Sequence, residues 1–143
     1  MWWRGCPPKI PRASEVPANR HVEQFIPHGP VLERAVCAVT HGGMGATQKA
    51  LASGVPVCAV PFGRDQIEVA RRVAVCGAGS RLPARRLKPR RLQAKVREAI
   101  ASRPGAERIA SAFRSAGGAT AAADAIEQRL LRGQRASNAS AAA

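Results

Sequence analysis

Short apolar runs alternate along the first half of the chain with stretches of helical periodicity. Val22–Ile26, Ala35–Thr40 and Val55–Val60 read as strands, and the last two are apolar enough to be buried on both faces. After the second run a helix is expected from about Gly45 to Gly54, stopped by Gly54 with Pro56 just beyond. Asp65 and Glu68 have the spacing of a capping box, which predicts a helix from Gln66 to about Val75, ended by Gly77 and Gly79. Ser80–Leu82 then reads as a last short strand. Strands alternating with helices in this way predict an α/β fold, a Rossmann-like parallel sheet flanked by helices. Downstream the period is helical throughout. Leu92, Val96, Ala99 and Ile100 share one face, Ile109, Ala112, Phe113 and Ala116 a second, and Ala119, Ala122, Ala123, Ile126 and Leu130 a third. Pro104 and the Gly117–Gly118 pair separate these helices. Residues 1–18, with four prolines and Trp2–Trp3, read as an irregular segment, 19–131 as the folded domain, and 132–143 as a disordered Ala/Ser-rich tail with little to bury.

Composition narrows this picture in three ways. A chain of 143 residues is the size of one domain with one core, and with 3% aromatic residues and no tyrosine that core rests on Ala, Val, Leu and Ile. The net charge of +14 raises the possibility of a polyanion partner, and Arg81, Arg85, Arg86, Lys88, Arg90, Arg91, Lys95 and Arg97 run without an acid until Glu98. The same stretch also reads as a solvated loop and helix face, and nucleic acid is not the expected partner. Cys6, Cys37, Cys58 and Cys76 lack metal-ligand or redox-pair spacing, so reduced thiols and no metal are expected. With no leader pattern and no apolar run near ~20 residues, a cytoplasmic protein without a transmembrane segment is expected.

The candidate chemistry lies where the Ala35–Thr40 run passes through His41-Gly42-Gly43-Met44-Gly45-Ala46-Thr47 into a helix. A strand, a glycine turn and a helix N-terminus collect free N–H groups and the positive dipole end at one point, which suits an anion. The same glycines could serve only to make a tight turn. No G-x-G-x-x-G is present and no Gly-Lys-Ser/Thr closes the loop, which disfavours a dehydrogenase and a P-loop NTPase.

The run His41 to Thr47, followed by Ala50-Leu51, Gly54-Val55-Pro56, Pro61 and Asp65-Gln66, resembles the donor-binding signature of the UDP-glycosyltransferase family. Phe25-Ile26-Pro27-His28, Val31-Leu32, Ala70, Arg72-Val73 and Gly77-Ala78-Gly79 extend the resemblance, which covers about Val16 to Leu131. It implies the C-terminal, nucleotide-sugar-binding domain of a GT-B fold, lacking that domain's first strands.

The resemblance also implies residue roles. His41 and the turn Gly42, Gly43, Met44, Gly45 and Ala46 would hold the donor diphosphate, and Asp65 and Gln66 the sugar hydroxyls. Phe25 and His28 would lie at the base, with core packing the alternative for Phe25 and helix capping a competing or additional role for Asp65. Ala46 stands where the family has Ser or Thr, and Lys49 stands where it often has a glutamate that accepts from the ribose; a lysine has donors only. No cofactor is implied. The substrates would be a UDP- or TDP-sugar and a small lipophilic or natural-product hydroxyl acceptor, giving hexosyl transfer. The catalytic base is expected in an acceptor domain outside this sequence, or on a separate chain; neither His21 nor His28 matches it. The alternative is a non-catalytic fragment or a basic module for an acidic partner.

Overall fold

The computed structural model describes residues 17–141, with side chains described as far as Leu131. The expected irregular segment and its two tryptophans therefore lie almost wholly outside the described residues. Three parallel strands, β1 (Ala38–Thr40), β2 (Val57–Ala59) and β3 (Gly79–Arg81), form a sheet in the order β1-β2-β3. Ala38 is in register with Val57, and Val57 in turn with Gly79. The helices are α1 (His28–Leu32), α2 (Met44–Ala52), α3 (Gln66–Val75), α4 (Pro89–Ala101), α5 (Arg103–Ser115) and α6 (Gly118–Ala141), with a 3-10 turn at Ala84–Arg86.

Two crossover helices end in the same way, and this sets where the strands start. At the end of α2 the Gly54 N–H donates to Leu51 O and the Val55 N–H to Ala50 O, with Gly54 at φ 72°. At the end of α3 the Gly77 N–H donates to Ala74 O and the Ala78 N–H to Val73 O, with Gly77 at φ 64°. Both are Schellman ends, in which a left-handed glycine satisfies the last carbonyls and turns the chain back into the sheet. β1 is shorter than the expected Ala35–Thr40 run because Gly54 and Pro56 offer its N-terminal half no ladder; pairing begins at Ala38 N–H to Pro56 O, 2.9 Å.

Val57 and Ala59 point to one side of the sheet, where Ala50 and Leu51 of α2, Ala70 and Val73 of α3, and Ala106 of α5 complete the core. Cys58 and Ser80, in register with each other, point to the other side, and there the Ser80 hydroxyl donates to the Lys95 carbonyl of α4 at 2.6 Å. Small residues permit close approach. A side chain at Gly79 would run into Val57, and one at Gly105 into the Gly77 carbonyl, so α5 seats its backbone on the turn that ends α3.

Several expectations are corrected. Val22–Ile26 forms no strand and is exposed throughout, since no neighbouring strand pairs with it among the described residues. The last strand is Gly79–Arg81, one residue earlier than expected. In α5 the buried residues are Gly105, Ala106 and Ala110, while Ala112, Phe113 and Ala116 are exposed. The close turn at Gly77 selects the small-residue face over the larger apolar one. In α4 only Ala99 of the predicted face is fully buried, and the predicted α6 face at Ile126 and Leu130 is open to solvent. The α6 backbone is helical to Ala141, across the boundary drawn at residue 132.

Candidate active site

All three strands point their carboxyl ends the same way, and in open α/β sheets ligands bind outside those ends. The first of these ends carries the glycine turn. The Gly42 N–H donates to Thr40 Oγ1 at 2.9 Å, which ties the turn back to β1. Gly42 takes φ 84°, and a Cβ there would stand 3.0 Å from the Gln66 carbonyl, so this position serves by conformation and close approach and its N–H is already used. Gly43, extended at φ −63° and ψ 137°, is the N-cap of α2 and has no side chain to cap with. The Thr47 N–H is taken by Gly43 O at 3.1 Å. The N–H groups of Met44, Gly45 and Ala46 precede any intrahelical acceptor and converge at the helix mouth.

His41 is exposed and its ring lies over the α-carbon of Gly43: a Cβ at residue 43 would come 2.5 Å from Nε2. The imidazole and the three free N–H groups are thus at one place. Nothing lies within 4 Å of the Cβ position of Gly45, so the space above the turn is open. The dipole end adds roughly 0.3–1 kcal/mol for an anion at an exposed site, and the directed N–H groups carry the rest of the attraction.

The second strand end leads through Pro61-Phe62-Gly63-Arg64 to α3. Arg64 is left-handed at φ 56°, a rare conformation for a non-glycine residue. Asp65 has helical angles, φ −59° and ψ −24°, and makes no side-chain capping bond, so the expected capping box is not formed. The αR backbone carries the carboxylate past the N–H groups that an extended N-cap residue would reach. The Asp65 carboxylate is exposed. Gln66 instead braces the loop: its Oε1 accepts from the Phe62 N–H at 3.0 Å, leaving its amide nitrogen as the remaining donor group. Glu68, the expected box partner, turns to Arg71 and Arg72, and their hydrogen bonds hold its carboxyl down to about 2.

The two residues expected at the base are separated in kind. His28 opens α1 and lines a cavity of about 130 Å³ with Ile26, Val31, Leu32, Thr40 and Ala46. Phe25 is 82% exposed and absent from that lining, which excludes core packing for it. Ile26 and Thr40 were not anticipated. Thr40 could have been found from its position as the last residue before the turn, where a hydroxyl can reach the i+2 amide. Lys49 is exposed in the last turn of α2, three residues after Ala46 and so on its face. Thr47 is buried with no partner for its Oγ1 among the described residues.

No group of metal-ligating side chains occurs among the described residues, and no described helix is long and apolar enough to cross a membrane. A parallel sheet flanked by helices, with a glycine turn at a strand end, is the Rossmann-like arrangement of the C-terminal half of a GT-B glycosyltransferase fold. Residues 8–129 match the family described as erythromycin biosynthesis protein CIII-like, C-terminal domain, and the chain belongs to that family. It is 32% identical over 134 residues to the uncharacterized UDP-glucosyltransferase YojK of Bacillus subtilis strain 168, covering 92% of this chain and 33% of the relative. The crystal structure of the glycotransferase of kitacinnamycin superposes with a TM-score of 0.76 at 36% identity, over 84% of this chain and 32% of that one. Glycosyltransferase VinC, solved in complex with DTDP, superposes with a TM-score of 0.65 at 32% identity, over 69% and 26% of the two chains. The chain spans about a third or less of the length of the curated relatives it matches.

Proposed function

We propose that this domain binds the nucleoside diphosphate of a UDP- or TDP-sugar and, with an acceptor domain, transfers a hexose-type sugar to a hydroxyl of a small lipophilic or natural-product acceptor. The observation that carries the reading is the coincidence of the His41 imidazole with the free N–H groups of Met44, Gly45 and Ala46. In the reaction the acceptor oxygen forms a bond to the anomeric carbon as the bond to the diphosphate oxygen breaks. The acceptor proton passes to a base outside this chain, and the diphosphate leaves with the electron pair. Charge grows on the leaving group in the transition state, and fixed donors at that point stabilise it without a metal or other cofactor. Asp65, with no capping bond to occupy it, and the amide nitrogen of Gln66 take the sugar hydroxyls in this reading, and His28 takes the base beside Ile26. Phe25 contributes from the rim. The neighbours' printed names, a UDP-glucosyltransferase and a DTDP complex, support the choice of donor. A cytoplasmic setting belongs to the same reading.

Titration calorimetry of UDP and TDP against the chain tests the site. Saturable binding is expected, weakened about tenfold or more by His41→Ala through loss of one hydrogen bond to a charged group, ~1.5–3 kcal/mol. Gly43→Ala should weaken it as well, because the added methyl displaces the ring. Absence of saturable binding in the parent chain, with its fold intact by circular dichroism, would overturn the reading.

A further inference from the structure

The third strand end has a different chemistry from the other two. A groove of about 410 Å³ is lined by Phe62, Ile67, Arg81, Ala84 and Arg85 beside Pro61 and Pro83. Across the Pro83 ridge a second groove, about 510 Å³, is lined by Arg81, Arg86, Arg91 and Lys95. The two share Arg81 and Pro83, so they form one continuous ledge carrying five cations. Of these only Lys95 has an acidic partner among the described residues, Glu98. Among the described residues neither groove is lined by a carboxylate, amide or hydroxyl side chain. The apolar component is prominent at its edge: Phe62 is 71% and Ile67 52% exposed.

Fold stability does not account for these cations. α4 opens with Lys88, Arg90 and Arg91 and has no acid in its first turn, which places positive charge against the positive end of the helix dipole. Arg85 and Arg86 form the 3-10 turn just before it. Such an arrangement opposes folding locally and is relieved by an anion supplied from outside. A surface of guanidinium groups interleaved with exposed Phe62 and Ile67 and half-buried Pro83 and Ala84 matches the boundary between lipid headgroups and acyl chains, where long cationic side chains reach phosphates and apolar side chains enter the layer beneath. Sequence-reading nucleic-acid surfaces need polar groups for base edges, and single-strand binders need several stacking rings; the ledge has one ring and no such polar groups.

We propose that the ledge from Phe62 across Arg81 to Lys95 docks the protein on an anionic phospholipid bilayer. The Phe62 N–H bond to Gln66 ties the edge of the ledge to the loop before α3, so docking holds that loop near the membrane surface.

Flotation of the full chain with vesicles tests this. Binding is expected to vesicles of mixed phosphatidylglycerol and phosphatidylcholine at low salt, to be lost in 0.5 M salt, and to be absent from phosphatidylcholine alone. Arg85→Gln with Arg86→Gln should lower partitioning about 5-fold per residue, roughly 30-fold together, from about 1 kcal/mol for each cation at an anionic surface. Phe62→Ser should lower it several-fold with an unchanged salt slope. Arg20→Gln with Arg34→Gln, which line neither groove, should change it by much less. Equal partitioning to both vesicle types overturns the proposal. So does an equal loss from the two double variants, which would reduce the effect to net charge, or binding of duplex DNA under conditions where anionic vesicles are not bound. Circular dichroism of each variant shows that it remains folded, whether or not the chain binds UDP, and keeps membrane docking separable from donor binding.

Discussion

His41 owes its position to the glycine two residues on. With no Cβ at Gly43 the imidazole can lie across the mouth of α2, and Gly42, left-handed and bonded to Thr40, fixes the backbone next to the residue that carries the ring. Both residues were legible as a turn, but the contact that matters is between side chain and backbone two positions apart, which no periodicity reveals. Asp65 shows the converse. Its spacing to Glu68 satisfies a capping pattern, yet the left-handed Arg64 delivers the chain to α3 already helical, so the carboxylate makes no cap. Lys49 offers a test at the same scale. If its position faces the ribose, Lys49→Glu supplies the missing acceptor, and affinity for UDP is expected to rise about threefold or more by calorimetry while affinity for pyrophosphate alone falls with the lost positive charge. A parallel change in both ligands would place residue 49 at the diphosphate instead.

The elements behave according to how many of their faces are covered. β2, buried at every position, was plain in the run Val55–Val60, because a strand covered on both faces has no polar alternation to obscure it. Val22–Ile26, in which Val22, Phe25 and Ile26 flank Glu23 and Gln24, formed no strand, since a strand exists only when a neighbour takes its backbone groups and none does so among the described residues. In α5 the larger side chains suggested the wrong face. Gly105, Ala106 and Ala110 pack inward because the helix backbone rests against the turn at Gly77, where a larger side chain has no room. Gly105→Ala is therefore expected to cost about 3 kcal/mol, the upper end for overpacking against rigid backbone, whereas Gly45→Ala, with open space around it, should cost little. Urea denaturation followed by circular dichroism gives both values, and equal effects would disprove the close seating of α5.

At the scale of the whole molecule, apolar surface is unevenly spent. The core is a compact block of small aliphatic residues around β2, while Val36, Val39, Ile126, Leu130 and Leu131 remain at least half exposed. The thiols sample this gradient. Cys76 is exposed, Cys58 is fully buried, and Cys37 is half-buried, with burial foremost and the neighbouring Cys58 second in pushing its thiol up. In a Cys6→Ser background at pH 8, alkylation followed by mass spectrometry should label Cys76 first and Cys37 slowly, and Cys58 only at the rate of global opening. Labelling of Cys58 as fast as Cys76 would mean that the sheet opens without unfolding the domain.

The amino-acid sequence by itself determined the alternation of strands and helices, the two glycine-terminated crossovers and the glycine turn between β1 and α2, because each depends on local periodicity or on a glycine within a few residues. Only the tertiary structure decided that Ile26 joins His28 in its cavity while Phe25 does not, that Gln66 braces the Phe62 loop, and that Arg81, Arg85, Arg86, Arg91 and Lys95 share one ledge with Phe62. Those relations join residues on different elements, and they are set by which backbones approach closely enough to pack.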